Sequence, residues 1–161
     1  MDLSTVKLDI PKDCNIILGQ THFIKTVEDL YEVMVGQVPT CRFGLAFSEA
    51  SAECLIRSDG NDPELIKAAV GNMQKIAAGH TFIIVMKDAF PINVLNAVKS
   101  CPEVCTIFCA TANPAEAVIA ETGQGRGIIG VIDGSPPKGV EQEKDKASRL
   151  DLLRKFGYKR G

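Results

Sequence analysis

Histidine occurs only twice in these 161 residues. One is His22, in Gly19-Gln20-Thr21-His22-Phe23, and the other is His80, in Ala78-Gly79-His80-Thr81-Phe82. In both places a glycine or threonine comes before the imidazole and a phenylalanine stands close behind it. His80 also falls where a long helical pattern gives way to an apolar strand. At such a junction a turn exposes a side chain while its flanking elements hold it still. An imidazole there can serve as base, metal ligand or nucleophile toward phosphorus. A plainer role is open too: a histidine after a helix end interacts with the terminal carbonyls. His22 precedes a second helix start, whose free amides can bind an anion. Position alone does not choose between the two rings.

The other polar groups that could do chemistry collect at the ends of apolar runs. Lys87 and Asp88 follow one run, and Thr111 and Asn113 follow another. In layered α/β proteins, ligands gather beyond the carboxyl ends of strands. Asn93 and Asn96 share one face of the helix that starts after Asp88. Singly, Asp88 can be read as a helix cap and Asn113 as a turn former before Pro114. Gly125-Arg126-Gly127-Ile128-Ile129-Gly130 matches the spacing G-x-G-x-x-G. A dinucleotide site needs a helix after that string, and here a β pattern follows. A glycine-rich hairpin is therefore the reading, with backbone amides, Gln124 and Arg126 able to approach a ligand closely.

Composition narrows the classes. Lys and Arg number 18 against 20 Asp and Glu, a formal charge of -2, so no basic field recruits nucleic acid or an anionic membrane. Trp is absent, which removes the usual base-stacking platform. The six cysteines include no C-x-x-C, and both histidines lie far from Cys101, Cys105 and Cys109. Zinc and a disulfide framework both fit poorly, so the thiols read as buried and reduced, with Cys105 and Cys109 on one face of a strand. The N-terminal residues lack a basic region with an apolar core, and no run approaches membrane-spanning length, which predicts a cytoplasmic protein.

Periodicity places these residues. Strands are expected at Val6 to Ile10, Cys14 to Leu18, Arg42 to Phe47, Cys54 to Arg57, Thr81 to Met86 and Val104 to Ala110, the last two as central strands. A helix should start at Thr26, boxed by Asp29, and stop at Gly36. The clearest helix opens at Asp62-Pro63-Glu64 and ends on a left-handed Gly79. A short helix follows Pro91. Ala117 to Thr122 and Ile128 to Ile132 read as a hairpin with a wide glycine-rich loop. The fold expected is a single-domain layered sandwich, α/β or α+β, with a central sheet, helices and a late β-hairpin. Residues 1–141 would form the domain, and residues 142–161 a charged C-terminal helix or arm.

Three stretches carry a resemblance: GQTHFIKTVEDLYE (residues 19–32), CRFGLAFSEAS (41–51), and the strings GHTFIIVMKDAFPINVLNAVKS, CPEVCTIFCATANP and ETGQGRGIIGVIDG between 79 and 133. With these the chain resembles the adenosine-specific kinase family up to about Glu141. The resemblance implies a homo-oligomer, with a trimer-based assembly among its options, that binds adenosine or AMP, uses ATP with Mg2+, and carries phosphate on a histidine. The Gly-His-Thr-Phe string then points to His80 as acceptor and keeps His22 as second choice. Asp88 or Glu121 would hold the metal. Lys87 and Arg126 would offset phosphoryl charge, and on the strand-end argument, not the resemblance, Asn93, Asn96, Thr111, Asn113 and Gln124 would contact the nucleotide. A different class stays open: an AMP-binding sensor or scaffold with negligible turnover.

Overall fold

The computed structural model describes residues 1–160. In chain order the elements are β1 (Asp2–Lys7), β2 (Asn15–Thr21), α1 (Thr26–Gln37), β3 (Arg42–Ser48), β4 (Ile56–Gly60) and α2 (Pro63–Ile76). There follow β5 (Thr81–Lys87), α3 (Pro91–Lys99), β6 (Val104–Thr111), β7 (Ala115–Glu121), β8 (Arg126–Asp133) and α4 (Glu143–Lys155). The larger sheet has the order β4-β3-β5-β2-β6 and the smaller β1-β7-β8, with every neighbouring pair antiparallel. The chain is thus the layered sandwich expected, of the α+β kind.

Strand β5 shows why the layers form. Its residues Thr81 to Met86 are all buried, so it carries apolar side chains on both faces. Phe82, Ile84 and Met86 point to the side covered by α1 and α3, joined there by Ile17, Phe43, Leu45 and Leu30. Ile83 and Val85 point the other way, to α2 and the smaller sheet, with Ile16, Met73, Ala117 and Ile119. Two cores therefore share one sheet as a wall. Helix α2 lies close against that wall: a Cβ built on Gly44 would stand 2.1 Å from the Ile66 nitrogen. Asp62 caps α2 by accepting from the amides of Glu64 and Leu65 at 3.0 and 3.2 Å, as the sequence predicts.

Several details differ from expectation. Strand β6, expected to be central, is an edge strand with Cys105 exposed. A bulge opposite Leu18 and Gly19 breaks its alternation, so Val104, Ile107 and Ala110 serve one core while Phe108 and Cys109 serve the other. Cys105 and Cys109 thus do not share a buried face. Cys14, Cys41 and Cys101 are buried, whereas Cys54 is exposed. Burial pushes the Cys41, Cys101 and Cys109 thiols up to about 11. Thr26 does not cap α1: its hydroxyl donates back to the Phe23 carbonyl at 2.6 Å. Ala77, at φ 50°, makes the left-handed stop expected of Gly79. The hairpin loop is tight, closed by reciprocal bonds between Thr122 and Gly125 at 2.9 and 3.2 Å. Among the described residues, no helix is long and apolar enough to cross a membrane.

Two stability outcomes follow from this packing. Gly44→Ala should cost about 3 kcal/mol or more, because backbone, not a flexible side chain, blocks the new methyl. Urea unfolding measures it, and a loss below half that figure would mean that α2 can shift. Glu103 is buried with neither carboxyl oxygen partnered. Burial, helped by nearby Asp29, raises its pKa from the ordinary value. A raised carboxyl pKa means that ionisation weakens the fold above that pKa and not below the unfolded value. Glu103→Gln should therefore raise Tm at neutral pH, with the gain shrinking as pH falls toward 4.5. A gain independent of pH would show that the carboxyl is not the cause.

Candidate active site

His80 sits on a residue-wide turn between α2 and β5 that is fixed from two directions. Its amide donates to the Ser48 carbonyl at 2.7 Å, and its own carbonyl accepts the Thr21 amide at 2.9 Å. The ends of β3, β5 and β2 are thereby tied together through one residue. Its φ of 58° is left-handed, a conformation that costs a non-glycine residue on the order of 1 kcal/mol and that surrounding structure must enforce. The imidazole lies nearly parallel to the Phe47 ring, with centroids 6.0 Å apart and planes at 16°. His22 arrives from the end of β2, its amide held by the Glu103 carbonyl at 3.0 Å.

Both rings border one hollow of about 310 Å3, closed by Phe23, Phe47, Glu49 and Ala50. On its other side His80 borders a larger hollow of about 640 Å3. There the opposite wall is the β7–β8 turn, with Thr122, Gln124, Gly125 and Arg126, and Gln20 contributes from β2. The loop between β3 and β4 divides the two spaces. Glu49 holds that loop shut: its carboxylate accepts the Leu55 amide at 2.8 Å and the Arg57 Nε at 2.9 Å. Those two donors keep the Glu49 carboxyl below the ordinary range. Gly79 is needed beneath the loop, since a Cβ there would come within 2.8 Å of the Ala50 Cβ. Ala52, Cys54, Ala77 and His80 all have positive φ, so unfavourable backbone gathers around these hollows.

The remaining candidates divide into two groups. Arg126 and Gln124 face His80 across the larger hollow. Arg126 donates to the Lys75 carbonyl at 3.1 Å, and its Nε lies 3.3 Å from one oxygen of the half-exposed Glu121 carboxylate. Lys87, Asp88, Asn93, Asn96, Thr111 and Asn113 stand at the far end of the sheet. Strands β5 and β6 both run antiparallel to the strand between them, so their carboxyl ends coincide, but the histidines lie at the other end. The length of β5 separates the groups by about 20 Å. Asn93 accepts the Phe90 amide at 2.9 Å at the start of α3. Thr111 and Asn113 both donate to Asp133, at 2.8 and 3.1 Å, and tie β6 to β8. In one chain, Asp88 is too far from His80 to act on the same phosphate.

Gln20 and Glu49 are lining residues that sequence reasoning did not single out. The signal for Glu49 was a carboxylate closing an apolar run, with Arg57 beyond a turn. Its meaning appears only once β3 and β4 are paired. Among the described residues, no group of three or more His, Cys, Asp or Glu side chains is placed to hold a metal ion. Both oxygens of the Glu49 carboxylate are engaged, so a magnesium ion beside it would depend on phosphate oxygens and water for most of its ligands.

The chain matches the family model described as adenosine specific kinase over residues 6–159. The match continues through the tail that was expected to be this chain's own. The crystal structure of the PH1918 protein from Pyrococcus horikoshii OT3 is similar at 42% identity, covering 99% of each chain with a TM-score of 0.95. No curated protein matches the chain. With nearly its whole length covered by one family, the chain belongs to the adenosine-specific kinase family.

Proposed function

We propose that this chain is a cytoplasmic, homo-oligomeric phosphotransferase that passes phosphate from ATP to adenosine through a phosphohistidine at His80. The observation that carries the reading is the convergence of both histidines on adjoining hollows, with Arg126 and a glycine-rich turn across from His80. Family membership supports adenosine as the substrate and ATP as the donor. The larger hollow, at about 640 Å3, is of the size that takes a nucleotide.

In the first step a ring-nitrogen lone pair of His80 attacks the γ-phosphorus of ATP. The bond to the β-phosphate oxygen breaks, and ADP leaves with that electron pair. In the second, the adenosine 5′-oxygen attacks the same phosphorus, the N–P bond breaks, and AMP forms. The hydroxyl proton passes to the freed ring nitrogen and then to solvent. Arg126 and the turn amides offset charge on the equatorial oxygens, where catalysis of phosphoryl transfer chiefly lies. The Phe47 ring and the two main-chain bonds keep the nucleophile still. Mg2+ would neutralise donor phosphates when bound with ATP. Lys87, Asp88, Asn93, Asn96, Thr111 and Asn113 have no step in this scheme.

Binding is tested first. AMP at about one hundred times its dissociation constant should add roughly 2.7 kcal/mol to unfolding stability, and GMP should add far less. Equal shifts with both nucleotides would remove the adenosine reading. Chemistry is tested with γ-labelled ATP. His80→Asn should abolish a protein label that is labile in acid and stable in base, while His22→Asn retains it. Asparagine suits the comparison because it accepts left-handed backbone, so the turn and AMP binding should survive. Label lost only in His22→Asn would move the acceptor to that ring. Label present in both variants would end the phosphohistidine scheme and leave a nucleotide-binding sensor in its place.

A further inference from the structure

Most polar side chains around the larger hollow have partners within the chain. Glu49 accepts from Leu55 and Arg57, Arg126 donates to the Lys75 carbonyl, and the Thr122 hydroxyl accepts the Gln124 amide at 3.2 Å. His80 is the nucleophile of the scheme above. Two carboxamides are left, Gln20 and Gln124. Among the described residues, neither side chain is hydrogen-bonded to another part of the chain. They are held very differently. Gln124 is on the hairpin turn, two residues from Arg126, at the end where phosphate charge is offset. Gln20 is on β2, paired with Thr81 of β5 on one side and Thr106 of β6 on the other, so its backbone is fixed. Side chains alternate along a strand. Ile16 and Leu18 point into the core shared with the smaller sheet, so Gln20 points the same way, where that core stops and the hollow begins. Its partner Thr81 directly follows His80, and paired residues in a ladder stand about 5 Å apart. Gln20 is therefore a rigidly mounted, unengaged carboxamide beside the nucleophile.

A carboxamide offers an acceptor and a donor side by side. Adenine presents the complement along one edge, where its N6 amino group donates and its N7 accepts. Guanine carries O6 at that place, so both of its atoms accept and a carboxamide satisfies only one of them. In an anti nucleoside, N7 lies on the side of the base nearest the 5′-oxygen. Reading that edge from beside His80 thus keeps the acceptor oxygen near the phosphorus. The lining around Gln20 is otherwise small, with Ala50, Ala77, Gly79 and Ala120, which leaves room for a flat ring.

We propose that Gln20 is the base-reading residue of this site: its Oε1 accepts from the adenine amino group and its Nε2 donates to N7. This deepens the adenosine reading above and rests on it. A bidentate pair of this kind separates the matching base from the wrong one by about tenfold to a hundredfold. With GMP the Gln20 oxygen would instead face O6, acceptor against acceptor. Gln20 touches the base and none of the reacting atoms, so it selects the nucleoside and takes no part in the transfer.

The test is calorimetric titration of the full-length wild type, Gln20→Leu and Gln20→Arg with AMP, GMP and 7-deaza-AMP, in which a C–H replaces N7. Wild type should bind AMP at least about tenfold more tightly than either of the other two. Gln20→Leu should lose about tenfold or more in AMP affinity, bind AMP and 7-deaza-AMP alike, and leave GMP little changed. Gln20→Arg donates twice and should favour GMP, whose O6 and N7 both accept. Gln20 is exposed, so the variants should melt near the wild-type temperature without ligand, and Gln20→Met replaces Gln20→Leu if that protein does not fold. Equal binding of AMP and GMP by wild type removes the adenosine reading and this proposal with it. A preference for AMP that survives in Gln20→Leu overturns the proposal alone. So does equal weakening of AMP and GMP, which would put Gln20 on the ribose or phosphate, or a wild type that binds 7-deaza-AMP as tightly as AMP.

Discussion

Strand β5 can exist only if both of its faces are covered, and the architecture follows from that demand. Six successive side chains, Thr81 to Met86, are removed from water. Burying a large aliphatic or aromatic side chain contributes about 1.5–3 kcal/mol, so neither face can be left open. One face takes α1 and α3, the other α2 and the smaller sheet. The turn that enters this strand is thereby immobilised, and His80 is the residue on it. The rigidity of His80 is a by-product of burying a strand twice.

Most of this was legible along the chain. The apolar run at Thr81 to Met86, the Asp62-Pro63 helix start and the switch to β pattern after Ala117 each carry a local physical signal, and each names its element. The edge position of β6 was not legible. Val104 to Ala110 is almost as apolar as β5, and only the bulge opposite Gly19 explains how one edge strand feeds two cores. The left-handed Ala77 was hidden for a similar reason: Gly79 looked suited to that role, but it serves close approach to Ala50 instead.

For the site, sequence reached the two histidines and the glycine-rich turn but not their separation from the strand-end group. Lys87, Asp88, Thr111 and Asn113 do gather at one end of the sheet, as the rule for strand ends implies. What the residues could not reveal is that β2 runs antiparallel between β5 and β6, which brings His22 to the His80 end of β5 and leaves Thr111 and Asn113 at the other. Antiparallel pairing leaves no reason for ligands to prefer carboxyl ends. The two hollows form where loops from β2, β3 and the hairpin meet.

The pairing of β1 with β7 joins Asp2 to Glu121 and Lys7 to Glu116. Contacts so distant along the chain close late, because loop entropy must be overcome before they stabilise anything. During synthesis the first strand must wait unpaired until most of the chain has emerged. The smaller sheet therefore completes last, and with it the far wall of the hollow beside His80. The hollow beside His80 is therefore among the last features to form, and a nascent chain gains it only when most of its length is present.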